Sequence, residues 1–317
     1  MSVSDVRPLV SIGIPTYNRA TCLGAAIDSA RGQTFPNIEV IVVDDGSTDG
    51  TPAVLAAYES DSRVRVVRHA VNRGATAAKN SVLDAMHGAY CSILDSDDTL
   101  LPDAVERLVG EFARRGPDVG MVFGDCVDPD TGAITGYGLE ASGEVTFRDV
   151  VTSRVTGEFW GMWRRDVLGT LRFDEDLPGG SESLVWHELY RRTRVFYLQG
   201  VVRRYTRRSA DGETRSNLRP ERLARTRAIY ERYLEQFGSE IKRFAPGAYA
   251  KQLQLIALWH LLAGERLRGV ARLVEAVRVA PTPGCILRAV ALAVTPAIAL
   301  RKMFDWRYER SLRRTSK

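Results

Sequence analysis

Short apolar runs that end abruptly in polar residues recur along the N-terminal third of the chain. Residues 10–14, 39–43, 64–67 and 90–94 form four such runs, and a stretch with a helical pattern follows each of them. Strands that alternate with helices are joined by right-handed crossovers and form a mostly parallel sheet with helices on both faces. The pattern therefore predicts an α/β, Rossmann-like fold with a mostly parallel sheet flanked by helices.

Polar residues directly follow three of the four predicted strands. Pro15-Thr16-Tyr17 follows the first strand, Asp44-Asp45 the second, and Asp95-Ser96-Asp97-Asp98 the fourth. In open α/β sheets, ligands bind beyond the carboxyl ends of the strands. We therefore expect these three clusters to converge on one binding edge.

The acidic cluster after the fourth strand has the pattern of a metal site. Side chains alternate along an extended segment, so Asp95 and Asp97 are expected on the same side. Paired carboxylates suit Mg²⁺ or Mn²⁺, and Mg²⁺ is usually held by one or two carboxylates together with phosphate oxygens of the substrate. The alternative is an acidic turn in which Asp98 or Thr99 caps the helix that starts near Pro102.

The same three clusters have the chemistry to bind a nucleotide. Asp45 can accept a hydrogen bond from a nucleobase N–H, and Tyr17 can pack against the base. Asp95 and Asp97 can hold a ribose hydroxyl and a diphosphate-bound metal. The alternative for Asp45 and for the nearby Asp49 is that they serve only as helix caps, a position that Asp favours.

Five motifs in this order resemble those of the family 2 glycosyltransferases over roughly the first 110 residues. The motifs are 15–19 (PTYNR), 33–39 (QTFPNIE), 43–49 (VDDGSTD), 72–80 (NRGATAAKN) and 94–98 (LDSDD) followed by Pro102-Asp103. The resemblance implies a GT-A fold, a nucleotide-diphosphate sugar donor, a divalent metal (Mg²⁺ or Mn²⁺), and inversion at the anomeric carbon.

The resemblance also implies roles for individual residues. Asp97 is then the metal ligand, with Asp95 beside it near the ribose. Asp45 reads the base and Tyr17 stacks near it. The residues expected to bind the nucleotide sugar are Pro15, Thr16, Tyr17, Arg19, Asp45, Lys79, Asp95, Ser96 and Asp97. Lys79 stands where the family more often has Arg, so it keeps the positive charge near the phosphates but lacks the planar fork.

A second departure concerns the general base. The family usually has Glu-Asp at the start of a helix in its acceptor-binding half, whereas this chain has Glu182-Ser183. Glu182 still offers a carboxylate in the first helical turn, after Gly179-Gly180, and the helix N-terminus favours its charged form. We therefore expect Glu182 to be the catalytic base.

Aromatic residues in this half are candidates for binding the acceptor. Trp160 and Trp163 can stack on sugar rings, and the alternative is that they pack in the core of a strand. Trp186 and His187, which follow Glu182 on the predicted helix, are weaker candidates, and a solvated helix face is the alternative for His187. Arg207 and Arg208 follow a predicted strand where the family often has a metal-binding His, so either the metal has fewer protein ligands or these arginines bind the diphosphate.

The C-terminal region is helical and basic. Predicted helices cover residues 221–237, 246–263, 267–279 and 286–303. Residues 219–317 contain 20 Lys and Arg against 8 Asp and Glu, a net charge of +12, whereas residues 1–218 have a net charge of −7.

Residues 285–300 are apolar but shorter than a membrane span. Because basic residues follow at once, we expect a helix that lies on an anionic membrane surface. A packed helix with a solvated basic end is an equal alternative, and nucleic acid is not an expected partner because stacking aromatics are few.

These features divide the chain into a GT-A domain, 1–218, and a basic helical region, 219–317. The domain consists of a nucleotide-sugar half, 1–115, and an acceptor half, 116–218. The four scattered cysteines form no disulfide or zinc pattern, and residues 1–7 have no pattern of a secretion leader. A cytoplasmic enzyme is therefore expected, with possible peripheral attachment to the inner face of the cell membrane.

The expected reaction transfers a sugar from a nucleotide-diphosphate donor, with UDP- or dTDP-sugars favoured, to a hydroxyl group. The expected acceptor is a glycan, a glycolipid or another small molecule. A nucleotidyltransferase is the alternative enzyme, although the Gly-rich loop with Arg expected after its first strand is absent. A non-catalytic nucleotide-sugar binder is the other alternative, because Ser183 and the missing His weaken the expected site.

Overall fold

The computed structural model describes residues 7–177, 181–206, 223–296, 298–300 and 302–303. The chain divides into two compact units, Met1–Ala210 and Asp211–Lys317. The boundary predicted after residue 218 falls among residues outside the described ranges, so its position stays a prediction.

The first unit alternates strands and helices. Its strands are β1 (Val10–Thr16), β2 (Ile38–Asp44), β3 (Val64–Arg68), β4 (Tyr90–Ile93), β5 (Thr99–Leu100), β6 (Val119–Val127), β7 (Gly136–Tyr137), β8 (Gly143–Val145), β9 (Thr156–Gly157), β10 (Phe159–Arg164) and β11 (Arg194–Arg204). Its helices are α1 (Leu23–Arg31), α2 (Thr51–Ala56), α3 (Ala75–Ala85), α4 (Ala104–Arg115), α5 (Phe147–Val151), α6 (Arg165–Leu168) and α7 (Glu182–Arg192).

The main sheet has the strand order β3-β2-β1-β4-β10-β6-β11-β5, and β8 pairs with β11. Neighbouring strands from β3 to β4 are parallel, and β6 is parallel to β11. Strand β10 runs antiparallel between β4 and β6. The predicted α/β fold, a mostly parallel sheet flanked by helices, is confirmed.

The central strands are buried on both faces. On β2, Val40 and Val42 belong to a cluster that includes Ile27 of α1, whereas Ile41 and Val43 belong to a second cluster that includes Val82 of α3. Successive side chains of a strand point to opposite faces, so these two clusters cover the two faces of the sheet. This explains why β2 is a continuous apolar run rather than an alternating one.

The second unit contains the helices α8 (Leu223–Phe244), α9 (Pro246–Leu262), α10 (Arg266–Val279) and α11 (Pro283–Val294), and residues 298–300 and 302–303 are also helical. The predicted boundaries of the first and the last helix were wrong. The first helix continues to Phe244, and the last ends at Val294 because Thr295 adopts an extended backbone before Pro296. In the part of the chain that the structure describes, no helix is long and apolar enough to cross a membrane.

Candidate active site

The carboxyl ends of β1, β2 and β4 lie side by side. Thr16 pairs with Asp44, and Gly13 pairs with Ile93, whose neighbour Leu94 donates its amide to the Gly13 carbonyl at 2.8 Å. The loops that begin at residues 17, 45 and 95 therefore leave the sheet at the same edge. This is the convergence that the sequence pattern predicts.

Asn18 joins the first two of these loops. Its side-chain oxygen accepts hydrogen bonds from the amides of Thr48 at 2.8 Å and Asp49 at 3.3 Å, and its own amide donates to Ser47 Oγ at 2.9 Å. Asn18 adopts a left-handed backbone with φ of 51°, which Asn tolerates better than most residues. The structure thus assigns a positioning role to Asn18 that sequence reasoning missed.

Asp45 is buried and holds the loop after β3. Its Oδ1 accepts the Arg73 amide at 2.9 Å and lies 2.6 Å from His69 Nδ1, and its Oδ2 accepts the Gly74 amide at 2.7 Å. A carboxylate has about four acceptor positions, so one remains for a further donor. The predicted role of Asp45 in reading the base stays a prediction, and the structure adds that Asp45 orders the start of α3.

Gly46, next to Asp45, has no room for a side chain. Its φ is +74°, and an added Cβ would lie 2.6 Å from the Val71 carbonyl carbon. The loop after β2 therefore packs its backbone directly against the loop after β3. Together with Asp45, this contact holds two loops of the edge in a fixed relation.

The other predicted nucleotide-binding residues differ in accessibility. Tyr17 is 42% exposed, so its ring can receive a stacked base, whereas Thr16 is buried and its hydroxyl has no partner among the described residues. Pro15 and Arg19 are partly buried, and Ser96 is buried.

The acidic turn after β4 presents its carboxylates unequally. The side chain of Asp95 is 47% exposed, Asp97 is partly exposed, and Asp98 is buried. Burial raises the pKa of Asp98 to about 7, against the opposing effect of the Arg203 guanidinium. Asp98 Oδ1 also accepts the Thr206 amide at 2.8 Å, so this third acid holds the turn in place.

Asp97 lies near the first loop of the edge. Burial raises the pKa of the Cys22 thiol, the Asp97 charge raises it further, and the Arg19 charge lowers it. Both charged groups are therefore close to the start of α1. The acid after β4 and the arginine after β1, which the resemblance assigns to one site, are thus near the same thiol.

The turn fits a metal that the substrate helps to bind. Among the described residues, no group of three or more His, Cys, Asp and Glu side chains is arranged to hold a metal ion. Mg²⁺ commonly binds one or two protein carboxylates and completes its shell with phosphate oxygens and water. Asp95 and Asp97 provide this limited set of oxygen ligands.

Lys79 and Glu182 form an ion pair. The distance from Lys79 Nζ to Glu182 Oε1 is 2.9 Å, and the two side chains are only 14% and 22% exposed. The next residue of α3, Asn80, donates to the Phe173 carbonyl at 2.9 Å and accepts the Phe173 amide at 2.8 Å. Helix α3 therefore holds the segment that leads to α7, and two predicted site residues meet there.

The start of α7 has Ser181 at the N-cap position, and Ser183 lies inside the helix. Glu182 is the first residue of α7, as predicted.

The aromatic acceptor candidates have the surroundings of core residues. Trp160 and Trp163 are each 3% exposed, and Trp160 donates to the Ile93 carbonyl at 2.9 Å. Trp186 packs against Trp163, with ring centroids 5.2 Å apart. Burial lowers the pKa of His187 to about 4, so its ring is neutral near pH 7. Core packing, the alternative stated for Trp160 and Trp163, is what the structure shows. Arg207 and Arg208 lie outside the described residues.

A buried arginine lies beneath the acidic turn. Arg203 Nη1 is 3.1 Å from Asp98 Oδ2 and 3.5 Å from Asp95 Oδ2. Arg203 is not among the predicted site residues, because the pair Arg203-Arg204 at the end of a strand gives no local sign of burial.

A family model described as "Glycosyl transferase family 2" matches residues 11–167. A GalNAc(5)-diNAcBac-PP-undecaprenol beta-1,3-glucosyltransferase of Campylobacter jejuni is 32% identical over 204 residues, 62% of this chain and 64% of the relative. TuaG of Bacillus subtilis, a glycosyltransferase named for teichuronic acid biosynthesis, is 32% identical over 171 residues, 54% of this chain and 68% of the relative. The chain thus spans slightly less than two thirds of the first relative.

Two solved structures share the fold. S. aureus TarS 1-349 in complex with UDP-GlcNAc has a TM-score of 0.66 at 20% identity, and the match covers 97% of this chain and 92% of TarS 1-349. The mannosyltransferase PcManGT from Pyrobaculum calidifontis, in complex with GDP-Man and Mn²⁺, has a TM-score of 0.54 at 23% identity, and the match covers 95% of this chain and 88% of that protein.

The sheet and its acidic edge define a GT-A type α/β protein. The family model and the TuaG match identify the subclass within that fold. The chain belongs to the family 2 glycosyltransferases.

Proposed function

We propose that the protein is a divalent-metal-dependent, inverting glycosyltransferase that moves a sugar from a nucleotide-diphosphate donor to an acceptor hydroxyl. The observation that carries this proposal is the meeting of the β1, β2 and β4 ends at one edge, with Tyr17 exposed and Asp95 and Asp97 beside it. Such an edge combines a surface for a base with oxygen ligands for a metal.

We assign separate residues to the donor and to the acceptor. In the proposed site, Asp95 and Asp97 would hold Mg²⁺ or Mn²⁺, which would supply positive charge for the leaving diphosphate. Glu182 accepts the proton of the attacking hydroxyl as the general base. Lys79 lies 2.9 Å from Glu182 and places a positive charge beside this carboxylate.

The comparisons support a nucleotide-sugar donor and a glycan or lipid-linked acceptor. TarS was solved with UDP-GlcNAc, and PcManGT with GDP-Man and Mn²⁺. The Campylobacter relative is named for an undecaprenol-linked acceptor, and TuaG for teichuronic acid biosynthesis. We therefore propose a role in cell-envelope polysaccharide synthesis, with UDP- or dTDP-sugars as the preferred donors.

A donor screen tests the proposal. The protein is incubated with UDP-, dTDP- and GDP-sugars and Mn²⁺, and the released nucleotide is quantified by chromatography. We expect release of nucleoside diphosphate, loss of release with EDTA, and loss in Asp97→Ala. Asp28→Ala, which removes an exposed aspartate of α1, is the matched control and should be fully active.

Full activity of Asp97→Ala refutes the metal assignment, and release of inorganic diphosphate instead indicates a nucleotidyltransferase. Donor binding without turnover on any acceptor indicates a non-catalytic binder.

We further propose that the protein acts at the cytoplasmic face of an anionic membrane. Helix α11 buries Cys285 and Ala289, while Leu287, Val290 and Val294 are exposed along its other face. Exposed apolar residues at helical spacing bind the interfacial region of a bilayer, and neighbouring basic residues add attraction to anionic lipids. The basic residues that follow in the sequence provide the complementary charge.

Vesicle sedimentation tests this second proposal. The full chain should pellet with phosphatidylglycerol vesicles in low salt, and removal of residues from 284 onward should leave it in the supernatant. Leu287→Ser/Val294→Ser should weaken pelleting, whereas Leu267→Ser, which removes an 89% exposed leucine of α10, should have little effect. Equal partitioning of the full and shortened chains refutes the proposal.

A further inference from the structure

Arg203 is a charged residue in a fully enclosed position. Its side chain is 4% exposed, and on β11 it pairs with Leu100 of β5 and Cys126 of β6. Removing a guanidinium from water is unfavourable unless opposite charges and hydrogen bonds compensate it. The groups that compensate the buried charge of Arg203 therefore indicate the role of this residue.

Three carboxylates surround the Arg203 guanidinium. Nη1 is 3.1 Å from Asp98 Oδ2 and 3.5 Å from Asp95 Oδ2, and Nη2 is 3.5 Å from Glu158 Oε2. The remaining nitrogen, Nε, lies 3.1 Å from the sulfur of Cys126.

Arg203 contacts only some of the carboxylates of the acidic turn. Nη1 contacts the first and the last acid of the turn, Asp95 and Asp98. Asp98 is buried and is also bound by the Thr206 amide, so Asp98 and Arg203 attach the turn to β11. The Asp95 side chain is half exposed, so water already solvates its carboxylate. The contact with Arg203 is therefore not needed to compensate the burial of Asp95. That contact instead restrains a side chain that faces solvent.

We propose that Arg203 is a positioning residue for the donor site: it fixes the Asp95 carboxylate in the arrangement that binds the divalent metal and the nucleotide diphosphate. This inference rests on the proposed function, because it takes Asp95 and Asp97 as ligands. Arg203 itself lies below the turn and is not proposed to touch the substrate.

A paired variant isolates the positioning effect. Arg203→Met with Asp98→Asn removes the buried cation together with its buried partner, so neither group is left uncompensated. The same pair of changes is then introduced beside Asp95→Asn. Residues that act through each other give non-additive effects in such a cycle, whereas independent residues give additive ones.

The readouts are the Kd of UDP in the presence of Mn²⁺, measured by calorimetry, and the binding of Mn²⁺ alone, followed by electron paramagnetic resonance. We expect the paired change to weaken UDP·Mn²⁺ binding by at least about tenfold when Asp95 is present, and by less than about twofold when Asp95→Asn is present. Thermal unfolding of each variant verifies that it is folded at the temperature of the titration.

Equal weakening in both backgrounds, or none in either, overturns the inference. Should the paired variant not fold, Arg203→Lys serves in the same cycle, because lysine keeps the charge but replaces the planar fork, which contacts Asp95, Asp98 and Glu158, with one ammonium group on a flexible stem. Unchanged UDP·Mn²⁺ binding in Arg203→Lys with Asp95 present also overturns the inference. If the unmodified protein binds no nucleoside diphosphate with Mn²⁺, the proposed function fails and this inference falls with it, an outcome distinct from the others.

Discussion

Replacement of Glu182 by Gln tests the assignment of the general base most directly. The change preserves the shape of the side chain and removes its charge and basicity. General-base catalysis contributes about 10²–10⁴-fold, so kcat should fall by that factor. The Kd of the donor should change less than about threefold, because the residues proposed to bind the donor remain in place.

The ion pair with Lys79 sets the expected change in stability. The pair distance is 2.9 Å, and both side chains are largely buried. Exposed pairs contribute about 0–1 kcal/mol, and breaking a buried pair costs about 3–5 kcal/mol. We therefore expect Glu182→Gln to lower the free energy of unfolding by about 1–3 kcal/mol. Lys79→Met/Glu182→Gln should recover part of this loss, because no uncompensated ammonium remains.

Urea unfolding gives the stability of each variant, chromatography of released nucleoside diphosphate gives kcat, and calorimetry gives the donor Kd. Glu188→Gln is the matched control, since Glu188 lies on the same helix and pairs with Arg191 and Arg192. It should alter stability without altering kcat. Normal turnover in Glu182→Gln together with lost turnover in Glu188→Gln would refute the assignment and move the base further along α7.

Three further outcomes are expected. Gly46→Ala should destabilise the protein by at least about 1 kcal/mol more than Gly132→Ala in urea unfolding, because both glycines have positive φ but only Gly46 meets backbone atoms within 3 Å; equal losses would contradict the close packing. Unfolding between pH 6.5 and 4 should reveal a loss of up to about 3 kcal/mol that His187→Phe lacks. The sign follows because burial lowers the His187 pKa from 6.5 to about 4, so the unfolded chain binds the proton first as the pH falls; parallel pH profiles would refute this. Trp160→Phe should lower the free energy of unfolding by about 1–3 kcal/mol through a lost hydrogen bond and a cavity, without changing the acceptor KM. A raised acceptor KM would instead support a role of Trp160 in acceptor binding.

Much of the fold follows from local patterns. Continuous apolar runs such as Ile38–Asp44 identify strands that are buried on both faces, and the helical stretches between them require parallel pairing. Parallel pairing brings the ends of these strands to one edge whatever the details of packing. The position of the acidic turn after β4 was therefore predictable, as was the start of α7 at Glu182.

The partners of individual side chains were decided only by the tertiary structure. The sequence favours a sugar contact over core packing for Trp160, whereas long-range packing buries this residue against β4. The ion pair of Lys79 with Glu182 joins residues 103 positions apart, and Arg203 contacts Asp98 across more than a hundred residues. Periodicity reports which face of an element is apolar, because that property repeats within a few residues. Which charge neutralises another depends on how distant strands and helices pack, and no local pattern records that.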